Sequence, residues 1–71
     1  MNDKAKTTLA DLYPYYSARQ LNGRWYPVAS VDGTNWISPF EQTFAQIHAS
    51  QTVEKDDVLQ WIRNNGGNVL G

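Results

Sequence analysis

Few side chains in this sequence are of the types that perform chemistry. The 71 residues include one histidine, His48, and no cysteine, which excludes disulfides, thiol catalysis and zinc sites built on cysteine. His48 follows Phe44 by four residues, at the edge of an apolar helical stripe. No serine and aspartate are spaced to suggest a catalytic triad with it. We therefore interpret His48 as a residue at the boundary of the core.

The acidic residues and the paired glycines also have ordinary structural interpretations. Glu54, Asp56 and Asp57 fall in the first turns of a predicted helix, where carboxylates complement the helix dipole. Gly66-Gly67 follows that helix, whereas a phosphate-binding loop leads from a strand into a helix. The sequence therefore predicts that the protein is not an enzyme and has no cofactor and no metal site.

Arginine and tyrosine side chains form the best candidate for a binding surface. Tyr15, Arg19, Arg24 and Tyr26 are predicted to lie on one face of a sheet, and arginine and tyrosine are enriched at interface hot spots. The alternative is an ordinary solvated face on which arginine stems cover tyrosine rings.

Two dipeptides organise the sheet that would carry these four residues. Asn22-Gly23 and Asp32-Gly33 are typical of type I′ hairpin turns, in which both central residues need a positive φ. They predict a three-stranded antiparallel meander with strands at about 15–21, 24–31 and 34–37.

Two-residue turns fix which residues pair across the strands. The predicted register places Arg19 opposite Tyr26 and Ala29 opposite Trp36. Trp25 and Trp36 then share a face without charged residues, which we assign to the core. The other face would be exposed, with Val28 and Ile37 as its apolar floor.

Helices are predicted on both sides of the meander. Thr8 and Asp11 have the spacing of a capping box, which indicates about one helical turn before Pro14. The segment 38–41 (Ser-Pro-Phe-Glu) is a capping box with proline at the first helical position, so a helix is predicted over about 39–50. A second helix is predicted over about 53–65, ended by a left-handed cap at the paired glycines. Val69 and Leu70 could fold back onto the core.

Length and composition limit the remaining alternatives. The chain is short enough for one small domain, residues 1–71. Its net charge of −1 is not that of a basic nucleic-acid-binding tail. No apolar run approaches the length of a membrane-spanning helix, and the first residues do not read as a signal peptide. We expect a cytoplasmic protein that does not bind membranes, with residues 1–6 disordered.

The predicted sheet and first helix resemble two known families locally. Residues 23–25 (Gly-Arg-Trp) and 36–40 (Trp-Ile-Ser-Pro-Phe) resemble the strand entry and the helix entry of the DNA-binding domains of plant ethylene-response factors; tyrosine-integrase arm domains share the three-stranded arrangement. This resemblance implies DNA binding through the exposed strands, but Tyr26, Val28 and Ser30 stand where those families carry DNA-reading side chains. A weaker resemblance to WW domains rests on Gly23-Arg24, on Tyr26 and on residues 36–39 (Trp-Ile-Ser-Pro). The sequence is therefore assigned to no family.

These inferences combine into one expectation of fold and function. The fold class is α+β, a three-stranded antiparallel meander followed by two helices packed on one face. The expected function is that of a small non-enzymatic protein-interaction module, such as an accessory or inhibitor protein of bacterial, phage or plasmid origin. It would act as a monomer or homodimer on a macromolecular partner, a protein, through Tyr15, Arg19, Arg24 and Tyr26. The alternative is a weak nucleic-acid-binding protein that uses the same sheet.

Overall fold

The structure is a computed structural model that describes residues 7–70; the predicted disorder of residues 1–6 lies outside the described residues. In chain order its elements are α1 (Leu9–Leu12), β1 (Tyr15–Leu21), β2 (Arg24–Ser30), α2 (Glu41–Ile47) and α3 (Lys55–Asn64). The protein is a small α+β domain, as predicted, although its regular sheet has two strands rather than three. None of the helices in the described part of the chain has the length and apolar character needed to cross a membrane.

The first hairpin forms as predicted. Asn22 and Gly23 have φ values of 52° and 80°, the two positive angles that a type I′ turn requires. Strands β1 and β2 pair antiparallel, and Arg19 lies opposite Tyr26 as the two-residue turn predicts. The turn sequence therefore determines which β1 and β2 side chains share a face.

The predicted second hairpin and third strand are wrong. Gly33 has a positive φ of 79°, but Asn22 is the only such non-glycine residue in the described chain, so Asp32 does not adopt the type I′ angles. A single bridge joins Ala29 to Ile37, where the prediction paired Ala29 with Trp36. A shift of one residue moves side chains to the opposite face. Trp36 therefore lies on the face opposite Ala29, and the prediction that it shares the core face with Trp25 is also wrong.

The Asp32 side chain explains the different turn. Its Oδ1 accepts hydrogen bonds from the backbone N–H groups of Thr34 at 2.8 Å and Asn35 at 2.9 Å. It also accepts the Ser30 hydroxyl at 2.9 Å, while Ser30 Oγ accepts the N–H of Gly33 at 2.8 Å. Side chains thus satisfy the donors that a strand ladder would otherwise use. These hydrogen bonds, above all those from Asn35 and Thr34, hold the pKa of Asp32 well below its usual range.

The core is formed by side chains of the sheet and of the helices. Its fully buried members include Tyr16, Ala29, Val58 and Ile62, and Trp25 packs against them as predicted. The Tyr16 hydroxyl donates to the Leu9 carbonyl at 2.8 Å, so α1 is tied to the sheet through a buried hydrogen bond. Burial is the main cause that raises the pKa of Tyr16 to about 12.

Helix α2 is shorter than the predicted 39–50. It begins at Glu41, with Phe40 in the N-cap position at φ −112° and ψ 11°. The Ser38 carbonyl, rather than its side chain, receives the Glu41 N–H, at 3.4 Å. The predicted Ser38 cap is therefore wrong. Phe40 instead places its ring 6.1 Å from that of Tyr16 and 6.4 Å from that of Trp61, so tertiary packing takes Phe40 out of the helical conformation.

Helix α3 and its cap follow the prediction closely. The helix begins at Lys55, close to the predicted 53, and ends at Asn64. Gly66 has a φ of 77°. Its N–H donates a hydrogen bond to the Arg63 carbonyl at 3.1 Å, and the Gly67 N–H donates one to the Ile62 carbonyl at 2.8 Å. This pair of bonds is a Schellman motif, which satisfies carbonyls that the helix end leaves without partners.

The segment after the cap returns to the sheet. The Tyr16 N–H donates to the Asn68 carbonyl, and the Leu70 N–H donates to the Tyr16 carbonyl, both at 2.8 Å. Val69 forms a parallel bridge with Tyr16 and packs against the core. We call residues 68–70 the tail; it covers the outer edge of β1 at Tyr16.

Candidate functional site

The four predicted contact residues share one face of the hairpin but differ in accessibility. Alternation along β1 places Tyr15 and Arg19 on the same face, and pairing places Arg24 and Tyr26 there as well. We call this the Arg/Tyr face. Tyr15 is 37% exposed and Arg19 is also exposed. Both are therefore available to a partner.

Arg24 is engaged within the protein. Its Nη2 donates to the His48 carbonyl at 3.2 Å, at the C-terminal end of α2, where a cation complements the helix dipole. Its Nε is buried and has no hydrogen-bond partner among the described residues. The side chain is half-buried. Arg24 thus joins the hairpin to α2, and little of its guanidinium is left for direct contact.

Tyr26 and its neighbour Val28 are less accessible than the sequence predicts. Tyr26 is half-buried and packs against the core cluster. Val28, predicted to form an exposed floor, is 3% exposed. Ile37, the other predicted floor residue, pairs directly with Ala29 and so lies on the opposite face. The apolar floor of the predicted surface is therefore absent from the described structure.

Sequence reasoning missed an apolar neighbour of Tyr15. A Cβ atom on Gly33 would lie 3.2 Å from the Leu70 Cδ2 atom and 3.8 Å from the Tyr15 ring. The Tyr15 and Leu70 side chains therefore flank Gly33, and Leu70 is 42% exposed. The apolar pair at the end of the sequence was a signal for a returning segment, but its position beside Tyr15 depends on the tail following β1.

The accessible part of the Arg/Tyr face is consequently smaller than predicted and lies mainly along β1. Tyr15, which flanks Gly33 together with Leu70, marks one end. Two residue pairs separate Arg19 from the hairpin turn. The surface combines a large ring, an apolar side chain and one cation. It can make apolar contact and directed hydrogen bonds, which are the contacts typical of protein interfaces.

A second concave region lies between the end of α2 and α3. His48, Asp57 and Trp61 are among the residues that line this open cavity of about 450 Å³. The Nδ1 atom of His48 lies 3.1 Å from the Phe44 carbonyl, and Asp57 Oδ2 accepts the Glu54 N–H at 2.9 Å. Both titratable groups therefore have local structural partners. Among residues 7–70, no three His, Asp or Glu side chains are grouped to hold a metal ion.

Comparisons of the chain with protein-family models, curated proteins and solved structures found no match.

Proposed function

We propose that this chain is a small non-enzymatic module that binds another protein through the Arg/Tyr face. One observation carries the proposal: Tyr15 and Arg19 are exposed on the same face of a strand whose other face is anchored in the core by the fully buried Tyr16. A rigid scaffold presents large, directional side chains at low entropic cost, which favours binding.

Arg24 and Tyr26 act differently in this proposal. Arg24 fixes the hairpin against α2, and Tyr26 contributes its accessible edge while it supports the core. Loss of Tyr26 would disturb folding as well as binding, so Tyr15 and Arg19 are the informative positions for mutagenesis. As hot-spot residues, each would contribute about 2 kcal/mol to binding.

Affinity capture with the full chain as bait tests this proposal. We expect at least one protein to be retained after nuclease treatment and lost when Tyr15→Ala and Arg19→Ala are combined. Arg63→Ala is the matched control, because Arg63 is an exposed arginine on α3. Retention by the double variant would contradict the proposal.

The second candidate function is weak nucleic-acid binding by the same hairpin. The observation that favours it is charge: Arg19 and Arg24 lie in a stretch with no acidic residue between Asp11 and Asp32. Because Arg24 is engaged with His48, this candidate depends mainly on Arg19. Nuclease-sensitive capture and an affinity that falls steeply with salt would favour it.

A further inference from the structure

The two outer edges of the sheet are unequal. On β2, the N–H and the C=O of Ala29 are both hydrogen-bonded to Ile37, and Pro27 has no N–H that could donate a hydrogen bond. On β1, the tail uses both groups of Tyr16. Edges that natural proteins leave without a proline, a bulge or a cover are templates for pairing with another chain.

Past the tail, no backbone group among residues 7–70 forms a hydrogen bond with the outer edge of β1. Tyr16 directs its N–H and C=O away from β2, and in an antiparallel ladder every second residue does the same. Ala18 and Gln20 therefore direct four backbone groups outward, in line with the edge that the tail occupies. Ala18 is half-buried and Gln20 is exposed, so an extended segment can approach.

The geometry points to strand addition: we infer that the edge at Ala18 and Gln20 receives an extended acidic segment of the partner protein. This inference rests on the proposed function and specifies how the partner binds. The tail shows that this edge accepts a strand at Tyr16, and the open edge continues that established contact. Main-chain hydrogen bonds would give affinity, and side chains would give specificity.

Charge selects the occupant. Arg19 lies between the two open positions. Arg19 and Arg24 are the only charged residues between Asp11 and Asp32, so this segment is positively charged although the net charge of the chain is −1. An acidic side chain opposite Arg19 complements this local charge. A second copy of the chain fits less well, because the antiparallel pairing that uses all four outward groups is centred on Arg19 and places two arginines directly opposite each other.

Selection from a library of random short peptides displayed on phage, with the full chain as target, tests the inference. Gln20→Pro removes an outward N–H without removing a bond of the β1–β2 ladder, and Gln20→Ala is the matched control that keeps the N–H. We expect enriched acidic peptides that bind Gln20→Ala like the unmodified chain and Gln20→Pro about tenfold more weakly or worse.

Charge reversal gives an independent arm if the proline variant does not fold. Arg19→Glu should abolish binding of the enriched peptides, and Arg63→Glu should leave it unchanged. No enrichment, enrichment of peptides without acidic residues, or equal binding to Arg19→Glu would overturn the inference. A dimer of the unmodified chain that Gln20→Pro dissociates would also overturn it, because the occupant would then be a second copy.

The result separates this inference from the proposed function. If Tyr15→Ala abolishes peptide binding while Gln20→Pro does not, the partner uses the Arg/Tyr face and strand addition is wrong. If Gln20→Pro abolishes binding while Tyr15→Ala has no effect, the edge binds the partner and the face does not.

Discussion

Gly67 lies where the cap of α3 meets α1, and its replacement by alanine tests that packing. A Cβ atom there would lie 2.6 Å from Ile62 Cγ2 and 3.1 Å from Leu9 Cβ. Ile62 is fully buried and Leu9 is 7% exposed, and the β-branched Ile62 side chain has few alternative rotamers. The added methyl group must therefore displace packed atoms.

We expect Gly67→Ala to lower the free energy of unfolding by about 1–3 kcal/mol, the usual cost of overpacking. A domain of this size has only ~3–5 kcal/mol from its core. One kcal/mol corresponds to about 4–8 °C in melting temperature for 60–100 residues. Thermal unfolding followed by circular dichroism should show a fall of at least about 4 °C by the same relation.

Two further variants separate a steric cause from a backbone cause. Gly23 has a positive φ of 80°, but a Cβ atom added there would have nothing within 4 Å. Gly23→Ala should therefore lower the free energy of unfolding only by the cost of a left-handed backbone, about 1–2 kcal/mol. Ile62→Leu removes the clashing Cγ2 atom and should make the loss from Gly67→Ala smaller in the double variant. An unchanged melting temperature for Gly67→Ala would refute the packing described for this cap.

Three other predictions concern single side chains. Tyr16→Phe removes the hydrogen bond to the Leu9 carbonyl and should lower the free energy of unfolding by about 0.5–1.5 kcal/mol. The pKa of Tyr16 is about 12 in the folded chain and about 10 in the unfolded chain. The unmodified chain should therefore lose stability as pH rises from about 10 to 12, and the phenylalanine variant should lose less. The pKa of Asp32 is lowered in the folded chain, so its stabilising effect should be present at neutral pH and be lost below about pH 4. Asp32→Ala should lower the melting temperature measured at neutral pH and make the melting temperature depend less on pH below about pH 4. Ser38→Ala should change stability by less than about 0.5 kcal/mol in urea titration, as expected for an exposed residue that does not cap a helix.

The parts of the fold that sequence predicts well are those controlled by local backbone chemistry. Asn22-Gly23 requires two positive φ values and thereby determines the β1–β2 register. The paired glycines after α3 likewise form the predicted cap. In both places the preferred local conformation agrees with the tertiary structure.

The failures occur where a side chain competes with the preferred local pattern. The Asp32 carboxylate binds the backbone of its own turn, which shifts the next segment by one residue and moves Trp36 to the other face. Phe40 packs with Tyr16 and Trp61, which delays the start of α2 until Glu41. Neither the carboxylate's choice of donors nor the position of these rings is encoded in residue spacing.

Residue type selected the four members of the candidate site, and strand alternation correctly placed them on one face of the hairpin. Their accessibility was not predictable, because it depends on how α2 meets the hairpin. The Arg24 contact with His48 joins residues 24 positions apart, and Tyr26 packs against a core cluster that is assembled from several elements. Tyr15 and Arg19 remain as the accessible pair.

Mapping the partner contact by NMR shows directly whether the Arg/Tyr face binds the partner. The protein captured with the unmodified chain would be titrated into ¹⁵N-labelled chain, and backbone amide shifts would be followed. We expect the largest changes along β1, from Tyr15 through Arg19, and amides of α3 that are largely unchanged. Changes concentrated on α3 and around His48, with β1 unaffected, would contradict it.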